Sequence, residues 1–588
     1  MSVFLPLPRP GLLAALIVAA LSCAVTSGSS HASSPSSSPA ADSGGGKTWY
    51  MAPDARCGSG KGTLESPWCI QDALDSGKVK PGDTIYGRLG GTYKLGGDGG
   101  SFSTIRSTLQ GSEGRRITVR PYAPDQTTPT TLIRVACDQK GEEKAENCFT
   151  IESNWVDYHE FEVANFGDPR RQRITGQFDR ADFGSGVRIV ANTRRTTGVG
   201  NRLINWVVHD TSGGVFKSEL ANPTDFYGMV IYNYGFLYDT AKVKRIGGHA
   251  FYLRNGLAGK EFAKGCGGSA EDSNPARMSL IDNIVSGSLR VEGFGAASLA
   301  YQDYGTCACV MHRNELYDGN FFLGGTLSGG CPRENNFTLG TRDQTLTNNW
   351  WSSYTVGYNG AGCDNVTIDG NFMFRPMHAP RNERNEKSSP TYFMEQTKDK
   401  VNPCRSNVKF TNNTYWGNWE RRGGSKKAGA DATNGFDADW FPGGGNVYLP
   451  DETTPDRNFT AVRPNKFRHG SCNVYVANFL DAASVPVDLS QCGLADGASY
   501  EVRSIYDYMG KPVGSGTFSA AAPRVDFPMT PAANPIANSV GHLEGGAPGS
   551  YPDMTHSLTK PGGNIFRNAF VVLTTGASKP APAAAAQP

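Results

Sequence analysis

The chain has 588 residues, enough to bury a large core, and its formal net charge of +2 gives no overall bias toward a polyanion such as nucleic acid. Gly is the loudest compositional signal at 72 residues, with 35 Pro and 10% aromatics, a profile of turn-rich all-β proteins that argues against a helical bundle. Beyond the N-terminus no segment is apolar enough to span a bilayer.

Arg9 precedes an apolar run from Gly11 to Leu21, short for a membrane span and the right size for a signal-peptide core. Ser30-His31-Ala32 has the small-x-small form of a cleavage site, so 1–32 is expected to be a signal peptide and the protein secreted or periplasmic. Ala20-Leu-Ser-Cys23 leaves a lipoprotein reading open. The Ser/Pro/Gly/Ala tract 33–46 reads as a disordered linker. Of 13 cysteines, Cys23 lies in the leader, and the even remainder in an exported chain points to disulfides. Local pairs are Cys57 with Cys69, Cys137 with Cys148 and Cys472 with Cys492. Cys266, Cys307, Cys309, Cys331, Cys363 and Cys404 leave their connectivity open, and Cys307-x-Cys309 lacks a His-rich companion at zinc-ligand spacing.

Order is expected from Lys47. Thr48-Trp-Tyr-Met-Ala-Pro-Asp54, Gly62-Thr-Leu-Glu-Ser-Pro-Trp68, Ile70-Gln-Asp-Ala-Leu74, Val79-Lys-Pro-Gly-Asp-Thr-Ile-Tyr86 and Gly91-Thr-Tyr93 follow one another as an ordered series. This series resembles the N-terminal segment of secreted right-handed parallel β-helix proteins of the pectate-lyase-like kind, polysaccharide-lyase type. The resemblance implies a first strand, a short capping helix at Ile70–Leu74 and then the first coil. A cap is physically reasonable, because an open β-helix end exposes strand edges and bare core.

From Ile117 to about Trp416 strand-sized apolar runs alternate with Gly/Asn/Asp turns, among them Phe149-Thr-Ile151, Val187-Arg-Ile-Val190 and Met278-Ser-Leu-Ile-Asp-Asn-Ile284. Asn365-Val-Thr-Ile-Asp-Gly-Asn371 and Asn407-Val-Lys-Phe-Thr-Asn-Asn413 share a pattern and start 42 positions apart. At the roughly 20–25-residue repeat of solenoids that spacing predicts two coils. Asn suits coil corners, since it tolerates left-handed backbone and its amide can bond the Asn of the next coil.

The expected fold is all-β: a right-handed single-stranded parallel β-helix with its cap over 47–420, then a linker or loop over 421–458. A small C-terminal antiparallel β-sandwich domain is expected over 459–535 from runs such as Asn473-Val-Tyr-Val-Ala-Asn-Phe479 and Tyr500-Glu-Val-Arg-Ser-Ile505. It resembles accessory domains of secreted carbohydrate-active enzymes. An extended segment and a disordered Pro/Ala-rich tail fill 536–588.

Within Asn201–Asn255, three runs read as successive rungs: Asn201-Arg-Leu-Ile-Asn-Trp-Val-Val-His-Asp210, Asp225-Phe-Tyr-Gly-Met-Val-Ile-Tyr-Asn233 and Gly247-Gly-His-Ala-Phe-Tyr-Leu-Arg-Asn255. They resemble a recurring segment of secreted parallel β-helix proteins, with Met229 and Ala250 standing where that segment has Asn and Gly. The resemblance implies an extended polysaccharide as substrate and a lyase that cleaves a uronate-containing glycan by β-elimination. That chemistry needs a base for the C5 proton, a cation for the carboxylate and an acid for the leaving oxygen.

Candidate catalytic residues are His249, Lys244, Tyr252, His209 and Asp210; candidate substrate-binding residues are Arg245, Lys217, Glu219, Tyr232, Asn233 and Arg254. His249 is flanked by small residues and titrates near neutral pH. His209-Asp210 reads either as base and orienter or as a corner hydrogen bond, Lys244-Arg245 as a carboxylate grip or a solvated pair, and the tyrosines as acids or packed rings. A parallel β-helix hydrolase using Glu219, Asp225 and Asp239 is the alternative, although the short-spaced Asp-Asp signature of polygalacturonases is missing. A non-catalytic carbohydrate-binding or adhesive surface protein is the other. No cofactor is required by the sequence, and Ca²⁺ is the cation that the lyase chemistry admits, with its ligands unknown. No nucleic-acid partner is expected, and the chain is expected to be a monomer. Asn336-Phe-Thr and Asn365-Val-Thr are glycosylation sequons.

Overall fold

The computed structural model describes residues 46–94, 104–136, 147–164, 173–174, 185–190, 198–211, 213–217, 223–232, 234, 236–239, 244–247, 250–253, 277–286, 299–301, 312–329, 341–360, 363–374, 391–395, 408–416, 441–449, 455–505, 508–530 and 567–575. The segments expected to be a signal peptide and a Pro/Ala-rich tail lie outside them, as does the expected linker up to residue 45.

Two parallel sheets wind around one core. A 12-stranded sheet, the first sheet, runs from Thr48–Met51 to Val408–Thr411. A further 18 strands bend round a corner and supply two more faces, the second and third sheets. One coil shows the scheme: Asn201–Ile204 lies in the first sheet, Val207–His209 in the second and Val215–Lys217 in the third. The next coil repeats it with Thr224–Tyr227, Val230–Tyr232 and Phe251–Leu253, each strand pairing in parallel with its counterpart. This is a parallel β-helix.

Residues alternate between core and exterior along each strand, so registered positions form stacks that run the length of the helix. In the first sheet the inward stack is Val119, Tyr158, Leu203, Phe226, Leu280, Tyr317, Leu346, Ile368 and Phe410. All nine are buried, each burial contributing roughly 1.5–3 kcal/mol for the larger aliphatic and aromatic side chains.

The corner between the first and second sheets is a two-residue turn. Its first residue is left-handed: Glu160, Asn205, Gly228, Asp282, Gly319, Asn348, Gly370, Asn412 and Gly445 all have φ between 53° and 74°. Gly, Asn and Asp dominate because their side chains tolerate that region. The second residue forms a buried asparagine ladder of Asn283, Asn320, Asn349, Asn371, Asn413 and Asn446. From Asn283 to Asn413 each side-chain amide donates to the next at 2.8–3.2 Å and to a backbone carbonyl of the coil behind, and Asn446 ends the series on the Phe410 and Gly443 carbonyls. The ladder stops at Met229, whose backbone N–H takes the last acceptor, Asn283 Oδ1, at 2.9 Å.

The N-terminal end is closed by the helix Ile70–Leu74, as the sequence predicts, with Ile70, Ala73 and Leu74 buried and the Cys57–Cys69 disulfide at its N-cap. Cys472–Cys492 also forms, and Cys148 is disulfide-bonded to a partner outside the described residues. The other expected pairings fall outside them as well.

Several sequence expectations change. Val366 pairs directly with Val408, so the two Asn-Val motifs are one coil apart rather than two. Gly247–Asn255 is not a third rung: Phe251–Leu253 is the third face of the coil that carries Tyr227 and Tyr232. Val447–Leu449, inside the expected linker, pairs with Thr414–Trp416 and extends the helix.

The C-terminal unit is a small antiparallel sandwich. Its main sheet has the order Phe459–Pro464, Cys472–Ala477, Arg567–Thr574, Ser499–Ser504, Gly514–Thr517, faced by the pair Ser484–Asp488 and Arg524–Pro528. The central strand Arg567–Thr574 lies beyond the boundary expected at residue 535, because 36 intervening residues carry no strand pattern while Phe570-Val-Val-Leu573 does. The sandwich shares its core with the second sheet, whose outer face is apolar along Val207, Val230, Ile284, Phe321, Trp350 and Phe372. Tyr475 packs on Phe321 and Trp350, and Phe459 on Phe372.

The segment Arg463–Asn473 follows the left-handed corner. Asn465 Nδ2 donates to Asn205 Oδ1 (2.8 Å), Lys466 N to the Tyr227 hydroxyl (2.5 Å), Arg468 to Glu160 (2.5 and 3.0 Å) and Asn473 Nδ2 to the Asp282 carbonyl (2.5 Å).

Candidate functional site

Two groupings of polar and aromatic side chains arise on the outside of the helix. The first lies where the second sheet turns into the third, on the register Ala136, Ala164, His209, Tyr232. His209 is 6% exposed and stacks parallel on Tyr232, ring centroids 4.8 Å apart. Its Nδ1 lies 2.7 Å from Asp210 Oδ2 and its Nε2 3.1 Å from Glu162 Oε1, while Glu162 also meets Arg134 at 3.2 Å. Burial pulls the imidazole pKa down, but the hydrogen bonds and charges of Asp210 and Glu162 outweigh it, and the net shift is upward. With a carboxylate on each ring nitrogen and its pKa raised, the His209 ring favours the protonated form, and both of its nitrogens are engaged within an ion network.

The second grouping is the outer face of the third sheet. The register there runs Arg106, Thr150, Arg188, Phe216, Tyr252, Ala300 on successive coils. Phe216 and Tyr252 stack at 5.2 Å and 11°, and the Arg188 guanidinium sits 5.2 Å from the Phe216 centroid on its other side. All three are half-buried, flanked on each strand by core residues such as Val215 and Phe251. The Arg188 Nε is buried and has no hydrogen-bond partner among the described residues. Beyond Ala300 the same register passes through Ser328 and Gly357 to Tyr392. An arginine on the first of two stacked rings, Phe216 and Tyr252, makes a strip able to hold planar or ring-shaped ligands with an anionic group.

The structure divides the sequence-derived candidates between these places. His209, Asp210 and Tyr232 come together in the ion network, and Tyr252 lies on the third sheet. Lys217 is fully buried, because it occupies the core-facing register between Ile189 and Leu253, so it does not serve the outer face as a substrate ligand. Lys244 and Arg245 lie in the strand Lys244–Gly247, opposite Asp239 and Tyr238 of a hairpin completed by Arg173–Ile174. In chain order that hairpin falls between the second-sheet strand Val230–Tyr232 and the third-sheet strand carrying Tyr252. His249, Asn233, Glu219 and Arg254 lie outside the described residues. Of the hydrolase alternative, Asp225 is on the outer face of the first sheet in a charge ladder with Asp157 and Arg202, whereas Asp239 belongs to the hairpin. The two residues therefore belong to different sheets.

Arg188 and Phe216 were not singled out from the sequence. Their signal is present nonetheless: Val187-Arg-Ile189, Val215-Phe-Lys217 and Phe251-Tyr-Leu253 put them at the middle, outward position of aligned strands. Among the described residues the one compact trio of potential metal-ligand side chains is Cys57, Cys69 and Asp72, and its two cysteines are joined in a disulfide.

No family model and no curated protein matches the chain. Among solved structures it is similar to the GH136 lacto-N-biosidase from Eubacterium ramulus, at 12% identity over 62% of this chain and 68% of that one, with a TM-score of 0.30. It is similar to an alginate lyase from Paenibacillus sp. str. FPU-7, at 12% identity over 62% of this chain and 99% of that one, TM-score 0.27. It is also similar to the pectate lyase Pel9A, at 12% identity over 62% of this chain and 78% of that one, TM-score 0.25. These likenesses carry no statement about chemistry.

Proposed function

We propose that this protein is a secreted polysaccharide lyase that holds a uronate-containing chain along the outer face of the third sheet. The observation that carries the reading is the strip Arg188, Phe216, Tyr252 on three successive coils. The apolar C–H face of a pyranose packs on aromatic rings, and a guanidinium recognises a carboxylate by paired hydrogen bonds. Tyr252 and Tyr392 are four strand spacings apart in the register, about 19 Å at the usual inter-strand distance of about 4.8 Å.

In the elimination, a base takes the proton from C5, the freed pair forms the C4–C5 double bond, and the C4–O bond breaks. The leaving oxygen takes a proton from an acid. We assign the base to His249 or Lys244, the acid to Tyr252 and the carboxylate clamp to Arg245, with Arg188 as a second guanidinium. Lys244, Arg245, His249 and Tyr252 precede or lie in the third-sheet strand of one coil, and Arg188 joins them through the register two coils away, which supports grouping them. His209 is left out, since its ring already gives both nitrogens to carboxylates.

Incubation with alginate, pectate and glycosaminoglycans is expected to raise the ultraviolet absorbance of unsaturated uronates. Tyr252→Phe is expected to lower that rate by about 100-fold, the low end of acid catalysis, and His249→Ala to abolish it if His249 is the base. New reducing ends without that absorbance would move the protein to the hydrolases, and binding without turnover to the non-catalytic class. Activity that falls on chelation and returns with Ca²⁺ would add the cation to the site.

A further inference from the structure

The arrangement of two stacked rings and an arginine on consecutive coils occurs a second time, on a different face. At the N-terminal end of the first sheet the outward register runs Tyr50, Tyr86, Arg120. Tyr50 and Tyr86 stack at 5.9 Å and 29°, and Tyr122 meets both edge-on at 5.6 and 5.9 Å. The outer side of Tyr122 is covered by Arg88, 5.4 Å from the ring centroid. Arg88 is itself fixed by Asp125, at 2.6 and 3.2 Å, and Asp125 also accepts from the Leu89 N–H at 3.0 Å. The three rings are therefore held rigidly while remaining partly exposed.

Nothing in the helix requires aromatic residues there. Outward positions of a β-helix strand face solvent, and the core beneath is already filled by Met51 and Ile85. Farther along the same face the chain covers its outward rings itself: Phe467 of the C-terminal unit packs edge-on against His159 and Tyr227, at 5.9 and 4.8 Å. That cover reaches His159, the neighbour of Arg120 in the register, and Tyr50, Tyr86 and Tyr122 lie on the open side of it. Arg120 is exposed and makes no ion pair or hydrogen bond among the described residues, unlike Arg88, Arg116 and Arg202, each of which is held by an aspartate. A rigid cluster of phenol rings beside an uncommitted guanidinium combines an apolar face, hydroxyl edges and one positive charge. Those are complementary to a pyranose chain bearing carboxylates.

We propose that this cluster is a second, non-catalytic surface that holds an acidic polysaccharide. It is separate from the third-sheet strip and stands on its own residues. Two holding points on one long substrate raise its effective concentration at the strip without any new contact there, an effect absent for oligosaccharides too short to reach both.

The test is electrophoresis of the full-length protein in native gels containing pectate, alginate or a neutral glucan, alongside cleavage assays on long and short acidic substrates. Retardation by an acidic polysaccharide is expected for the wild type. Arg120→Glu and Tyr86→Ala are each expected to weaken that retardation by about tenfold in dissociation constant, the scale of one charge-assisted contact. Cleavage of short oligosaccharides should be unchanged in both. Arg120 is exposed, so its variant also reports if Tyr86→Ala folds poorly, and Tyr86→Phe should keep most of the binding. The idea is overturned if the wild type is not retarded by any acidic polysaccharide, or if Arg120→Glu and Tyr86→Ala migrate as wild type does. Tyr252→Ala separates the two sites: lost cleavage with retained retardation supports both. Retardation without any cleavage by the wild type sinks only the lyase reading, and retardation lost in Tyr252→Ala alone sinks only this one.

Discussion

At the scale of single residues, His209 shows how a residue type that looks catalytic becomes structural through its neighbours. Asp210 and Glu162 raise its pKa above the ordinary 6.5 despite burial, so the native state binds the proton more tightly than the unfolded chain. The stabilisation is full below about pH 6.5 and is lost as the pH rises through the folded-state value. His209→Gln removes the ring that Asp210 and Glu162 share and leaves Glu162 with Arg134 alone. Breaking a buried pair of this kind costs about 3–5 kcal/mol. Urea unfolding at about pH 5.5 should show that loss, and the gap to wild type should narrow as the pH is raised and the wild-type ring gives up its proton. Equal midpoints at the lower pH would mean that the network contributes nothing. Sequence gave the His-Asp pair but not Glu162, which reaches it from the neighbouring coil. Arg188 and Phe216 stayed hidden for a related reason. Each is one letter between apolar neighbours, and only the alignment of coils with unequal loops brings it into line with Tyr252.

At the scale of elements, the asparagine ladder accounts for much of what was legible. Asn at the corners, short apolar runs and left-handed Gly or Asn are local signals, and local signals are what a sequence shows most directly. The number of coils between two motifs is not local, since loops vary freely, and that is why the two Asn-Val segments were expected to be farther apart than they are. The ladder also gives a sharp prediction. Asn349 accepts from the Asn320 side chain and backbone and donates to Asn371 and to the Tyr317 carbonyl. Asn349→Ala strands several buried partners at once, each at about 1–3 kcal/mol, so a loss of about 3 kcal/mol or more is expected by chemical denaturation. Asn349→Ser should do little better, since the hydroxyl is too short to bridge two coils. A loss under about 1 kcal/mol would show that the stack needs no amide there.

At the scale of the whole molecule, the C-terminal sandwich completes the fold of the helix. It covers an apolar outer face that would otherwise meet water, and its Arg463–Asn473 segment follows the left-handed corner. Asp282 lies on that corner, 8% exposed; burial and then the neighbouring Asp318 push its pKa up to about 7, against the pull of Arg463 and Lys466. The folded value is above the ordinary 3.8, so the native state favours the neutral acid, and stability falls as the pH rises from about 4 to about 7. Asp282→Asn keeps the left-handed backbone and removes the charge. It should melt at a higher temperature than wild type at about pH 8 and with it at about pH 4, a difference on the order of a few kcal/mol at the upper end. A variant that melts lower at pH 8 would show that the ionised carboxylate is wanted there.

The strand Arg567–Thr574 occupies the middle of the sandwich sheet, between Cys472–Ala477 and Ser499–Ser504. A ribosome delivers it after every other strand described, so the coils are made and can begin to stack while the sheet that shields their greasy flank still lacks its centre. Until those last residues emerge, Val230, Phe321 and Trp350 present a flank open to any partner nearby. The order of synthesis thus makes Arg567–Thr574 the latch of the described assembly.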